Sequence, residues 1–156
     1  SSDGNIVAIG AEYQPVKGRV EVYENIGGTW TQLGQDIDGA SSDDQSGHSV
    51  SLSSDGTRVA IGSMLNDDNG NNSGKVKVYE WNVSSWNQLG GDILGEAEND
   101  RCGRSVSLSS DGSLLAIGSS LNDDNGSNSG HVRVYEKIIF CFNYYIYVFF
   151  GFLRFN

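Results

Sequence analysis

From Ser49 the chain alternates in twos. Ser49, Val50, Ser51 and Leu52 set small polar residues against apolar ones, and Lys75, Val76, Lys77, Val78 and Tyr79 do the same with charged ones. A period of two is that of a β-strand, whose successive side chains point to opposite faces. On the Lys75 strand it predicts Val76 and Val78 toward a core and Lys75, Lys77 and Tyr79 toward water. A short apolar run, Val59 to Ile61, forms another strand, and a fourth surrounds Trp86, Gln88 and Leu89, where the indole supplies bulk to a core. SSDG separates the first two strands. Asp-Gly suits a tight hairpin because Gly takes positive φ without a Cβ clash and Asp bonds nearby backbone. No helical period is sustained, which excludes an all-helical protein.

The strands recur as a set. SSDG begins at Ser1, Ser53 and Ser109, and VAIG or LAIG follows at Val7, Val59 and Leu115. GRVEVYE, GKVKVYE and GHVRVYE stand at Gly18, Gly74 and Gly130, Trp30 matches Trp86, and GxSVSL occurs at Gly47 and Gly103. A tandem four-stranded antiparallel unit of about 50 residues is the habit of a β-propeller blade, whereas leucine-rich repeats recur every 20–29 residues. The expected fold class is therefore all-β, a partial β-propeller of about 2.75 blades in an open arc. Residues 1–46 make a blade without its first strand, 47–102 a full blade, and 103–137 a blade without its last strand. Small residues in the first two strands (Ser49, Ser51, Ala60, Gly62) fit sheets that converge on an axis and approach closely. Closed propellers have about four to eight blades, so the open edges of this arc are expected to associate with a second copy or with further sequence.

The string GHSVSLSSDGTRVAIGS, followed by NDDNGNNSGKVKVYE, resembles the FG-GAP-like repeats of integrin-α-type propellers, and the resemblance covers Ser1 to Lys137. It implies a non-enzymatic binding or adhesion module of a surface or secreted protein, extracellular or displayed on the cell, with a protein or glycan partner. One departure matters. The calcium loop of that family, between the first two strands, is replaced here by the bare SSDG, so its metal site does not carry over.

Composition narrows the partners. Twenty Asp and Glu against ten Lys and Arg give a formal charge of -10 and a pI near 4.4, which disfavours nucleic acid and anionic membrane. After Lys137 the character changes, since residues 138–156 hold all six phenylalanines. The stretch from Ile138 to Leu153 is shorter than the roughly 20 residues of a spanning helix and is interrupted by Asn143 and Gly151, so membrane contact is expected only if this tail inserts. Its β-branched and aromatic residues favour a strand, either a substitute fourth strand for the last blade or the product of a mistaken gene boundary.

Function is sought in the loops, which a repeat scaffold leaves free of packing. The connections SMLNDDNGNNSG (Ser63 to Gly74), SSLNDDNGSNSG (Ser119 to Gly130) and GEAENDRCG (Gly95 to Gly103) are expected on one face, gathering Asp67, Asp68, Asn69, Asp123, Asp124, Asn125, Glu96, Glu98 and Asp100 as the ligand-facing set. Calcium, which takes six to eight oxygens, is conceivable there, but in an EF-hand register Gly70 places Leu65 and Val76 where carboxylates are required. No cofactor is therefore expected, and turn formation by Asn and Asp is the weightier reading. Catalysis finds little support. His48 aligns with Arg104, and His131 with Lys75 and Arg19, so both read as surface slots, while Cys102 and Cys141 form no framework. Two alternatives stay open: a hydrolase or lyase propeller, whose polar residues would differ between units around one pocket, and a truncated product without independent function.

Overall fold

A computed structural model describes residues 1–13 and 17–136. They form three antiparallel sheets in an open arc, and no helix occurs among the described residues. The first sheet comprises β1 (Ile6–Ala11), β2 (Arg19–Ile26), β3 (Thr29–Gln32) and β4 (Ile37–Asp38). The second comprises β5 (Ser46–Leu52), β6 (Arg58–Ser63), β7 (Lys75–Trp81), β8 (Trp86–Gln88) and β9 (Ile93–Leu94), and the third β10 (Cys102–Leu108), β11 (Leu114–Ser119) and β12 (His131–Glu136). The chain is all-β, as its alternation predicts. The fourth strand comes in two pieces: β8 pairs with one end of β7 and β9 with the other, as β3 and β4 pair with β2. Between the pieces the backbone turns at Gly34 and Gly90, whose φ values of 80° and 77° suit glycine.

The core lies between sheets. Val20, Val22 and Ile37 of the first sheet pack with Val59, Ile61 and Trp86 of the second, joined by the partly buried Tyr79 and Trp81. On its other side the second sheet sets Ala60, Val76 and the partly buried Val78 against Cys102, Leu115 and Ile117. Both faces of the second sheet are thus covered, which corrects the expectation of a wet side on the Lys75 strand. Tyr79 faces the first sheet, and the Lys75 side chain is 3% exposed. Alternation revealed the two faces, but not that a neighbour roofs each one.

Trp86 and Trp30 occupy matching positions in different surroundings. Trp86 is 3% exposed, its Nε1 donates to the Leu33 carbonyl at 2.8 Å, and its ring tilts against Trp81 at 5.4 Å. Gln35 of the first sheet completes the contact, donating through Nε2 to the Trp86 carbonyl and accepting from the Trp86 amide. The core role expected of Trp86 therefore holds, whereas Trp30, its match in the first repeat, is 46% exposed. The reason is the neighbour: Trp86 packs on a preceding sheet, and no described residues form one beside Trp30. Val132 likewise is 63% exposed where its counterparts Val20 and Val76 are fully buried between sheets.

Small residues mark the closest approaches. The pairing registers shift between Ser46 and Ser49 and between Cys102 and Ser105, around Gly47 and Gly103. The carbonyls of these glycines point at the preceding sheet. A Cβ on Gly10 would lie 2.0 Å from the Gly47 oxygen, and one on Gly62 2.0 Å from the Gly103 oxygen. Ser49 takes up that second carbonyl, donating through Oγ at 2.7 Å. At one rim the SSDG turns form a chain, with the Ser2 amide donating to the Ser54 carbonyl and the Ser54 amide to the Ser110 carbonyl, both at 2.8 Å.

Trp86→Ala should cost roughly 3–5 kcal/mol in urea unfolding, the range for a buried aromatic, while Trp30→Ala should stay below about 1 kcal/mol. Equal losses would refute the packing difference.

Candidate functional site

The LNDDNG loops are built twice to one plan. Asn66 and Asn122 are buried, each 1% exposed. Their side-chain amides donate at 3.0 Å to Asp44 and Asp100, and their carbonyl oxygens accept from the amides of Asp68 and Asp124 at 3.1 Å. Asp67 and Asp123 accept from the amides of Asn72 and Asn128, both at φ 51°, a region that Asn tolerates better than most residues. Main-chain bonds repeat as well: Gly70 to Asp67, Ser73 to Gly70 and Gly74 to Asn66 correspond to Gly126 to Asp123, Ser129 to Gly126 and Gly130 to Asn122.

The inter-sheet connection lies alongside. The amides of Asn99, Arg101 and Cys102 donate to the carbonyls of Asn71, Asn72 and Ser73, and Asn69 donates from its side chain to Gly95 at 2.7 Å and Glu96 at 3.3 Å. On its other side the connection accepts at Asp100 from the Leu121 amide. The expected adjacency of these loops is therefore present.

The carboxylates divide into two kinds. Asp100 is 3% exposed, and its carboxylate accepts from the Ala97 amide and Asn122, so it ties the loops together instead of facing a ligand. Asp67, Asp68, Asn69, Glu96, Glu98, Asp123, Asp124 and Asn125 are exposed. They do not meet at one point. Lys75 donates to Asp68 at 2.7 Å, and this hydrogen bond is the main reason that the Asp68 carboxyl lies below its ordinary value. Glu96 pairs with Arg133.

One convergence does occur among the described residues. Glu96, Asp124 and His131 bring their ligand atoms within 4.8 Å of one another, with His131 Nδ1 3.8 Å from Asp124 Oδ2. Sequence alignment of the repeats places His131 with Lys75 and Arg19 but reads that side as open water. The signal was present in the residue types, since Arg, Lys and His all occupy the slot and carboxylates recur around it. His48, also read as a surface slot, is half-buried and pairs with Glu12. Cys102 is buried, and burial pushes its thiol up to about 11, far from the thiolate that reactivity needs.

The SSDG turns, which stand where the FG-GAP calcium loop would be, use their carboxylates internally. Asp111 accepts from Ser109 Oγ, the Ser113 amide and Ser113 Oγ at 2.6–3.0 Å, and these bonds, Ser109 first, lower its pKa to about 2. Asp3 repeats this through Ser1 and Asn5, also at about 2. For Asp55, burial pushes the pKa up, but bonds from Ser53 and Thr57 together outweigh it, and the carboxyl ends below its ordinary value.

A family model described as FG-GAP repeat matches residues 36–79 and 95–135, two stretches that carry both LNDDNG loops and the third strands after them. No curated protein matches the chain.

The lowered pKa of Asp111 fixes a pH window. Its contribution to stability is complete above the ordinary value of 3.8 and is lost as the pH falls through about 2. A carbon-detected NMR titration of the Asp111 carboxyl should therefore show a midpoint near 2. A midpoint at the unperturbed value would contradict the clasp.

Proposed function

Because this chain belongs to the FG-GAP repeat family, we propose that it is a non-enzymatic binding and adhesion module of a surface or secreted protein, with a protein or glycan partner on its loop face. The observation that supports this most is the duplication of the LNDDNG loop with its hydrogen bonds intact. Loops tied to their own backbone and to their neighbours lose little conformational freedom when a partner docks, which favours binding by preorganised groups. Two copies at neighbouring positions offer the same groups twice, and a repeated partner gains from engaging both.

The exposed members, Asp67, Asp68, Asn69, Glu96, Glu98, Asp123, Asp124 and Asn125, supply acceptors and amide donors. Their charge favours a basic protein patch or a neutral glycan over an acidic one. Asp100 contributes by holding the loops in place. This reading requires no cofactor, and it places the molecule outside the cell or on its surface.

A screen of the full chain against a glycan array and a panel of extracellular-matrix proteins tests the proposal. Replacing Asp67, Asp68, Asp123 and Asp124 together by Asn keeps an acceptor oxygen at each position and removes the charge. The expected result is a selective binder in the screen whose affinity falls at least about tenfold in the variant, as loss of a few hydrogen-bonded charges implies. Binding that survives the fourfold replacement unchanged would move the ligand surface elsewhere.

A further inference from the structure

We infer that Glu96, Asp124 and His131 form a site for one divalent ion of the zinc class at the edge of the third sheet. The site lies on the loop face of the binding-module reading and rests on that reading only for its location. The titration below needs no partner, so its failure leaves that reading standing.

Geometry and ligand type carry the first half of the argument. A tetrahedral zinc ion about 2.1 Å from each ligand sets those ligand atoms about 3.4 Å apart. His131 Nδ1 and Asp124 Oδ2 are 3.8 Å apart, and no pair in the trio exceeds 4.8 Å. Glu96 and Asp124 are exposed, so side-chain rotation can close the remaining gap without moving a strand. One imidazole nitrogen with two carboxylates suits zinc, nickel or copper, whereas calcium seeks six to eight oxygens. Arg133, paired with Glu96, can hold that carboxylate from outside the ion while its other oxygen turns inward. The fourth position is left to water or to a ligand atom from a partner.

The second half comes from the sister repeats, which point independently to a cation in this slot. In the first sheet the slot holds Arg19, whose Nε lies 2.9 Å from Asp38 and whose Nη1 lies 2.5 Å from Asp36. In the second it holds Lys75, with Nζ 2.7 Å from Asp68 and 3.8 Å from Asp92. Both are basic side chains that meet at least two carboxylates each. In the third sheet the slot holds His131, which is uncharged when it binds metal, and the position matching Ala40 becomes Glu96. The slot has exchanged its basic side chain for a neutral ligand and gained a carboxylate; Arg133 matches the charge of Glu96, and a bound ion matches that of Asp124, as Lys75 matches that of Asp68 in the second sheet.

The test is a calorimetric titration of the full chain with zinc chloride, in a Cys141→Ser background that removes the tail thiol as a ligand. One ion should bind per chain, and about a hundredfold excess of calcium should not displace it. His131→Lys, which restores the residue type of the second repeat, should weaken binding beyond the roughly 10–100-fold that loss of an outer partner costs, while His48→Asn should leave it unchanged. An Ala40→Glu, Lys75→His double variant that retains its β circular dichroism should bind two ions. No saturable uptake, uptake indifferent to His131→Lys, loss of uptake in His48→Asn, displacement by calcium, or a folded double variant that still binds one ion would each overturn the assignment.

Discussion

The arrangement depends on how closely one main chain can approach the next. At Gly10 against Gly47 and at Gly62 against Gly103, a carbonyl oxygen occupies the place where a side chain would begin. Any Cβ there meets backbone, which cannot swing aside as the end of a flexible side chain can, so the sheets would have to separate. Separation would loosen the contacts that give each sheet its core, because the apolar clusters lie between sheets and not within them. Close-packed interiors tolerate little such widening. The positive φ of Gly47 and Gly103 serves the same contact by turning each carbonyl toward the preceding sheet.

Much of this architecture is legible in the sequence. The strands, the SSDG turns and the small residues at the approach all follow from a period of two and from what Gly and Asp do to a backbone. What a sequence of this kind cannot reveal is which neighbour covers a face. Val76 and Lys75 alternate as a half-wet strand would, yet both are buried, since a long aliphatic stem with a paired ammonium can lie between sheets as a methyl group can. Trp30 and Trp86 sit in almost the same local sequence and differ tenfold or more in exposure because the difference lies in what is next to them.

The loops teach a similar lesson about charge. Asp100 and Asp123 look alike as letters, both flanked by polar residues in acidic segments. Asp100 is an internal strut and Asp123 an exposed turn-former, and the distinction follows from Asn122, which reaches back to Asp100 across 22 positions. Asp44 and Asn66 repeat that reach. The convergence of Glu96, Asp124 and His131 was hidden for a related reason: its members come from two loops and a strand, and only the folded register makes them neighbours. The matching of Arg19, Lys75 and His131 across repeats was the trace it left in the sequence.

The chain of SSDG turns along one rim bears on how such an arc comes apart. Each link uses the amide of one turn and the carbonyl of the next, and Ser54 takes part in both links. Arg58 adds a strap, reaching the carbonyls of Asp111 and Gly112 in the following turn. When one hairpin opens, it releases a donor or an acceptor in an adjoining repeat, and fraying there travels lengthwise. Loss of order along this edge is therefore contagious between repeats, even though each sheet buries its side chains only against its immediate neighbours.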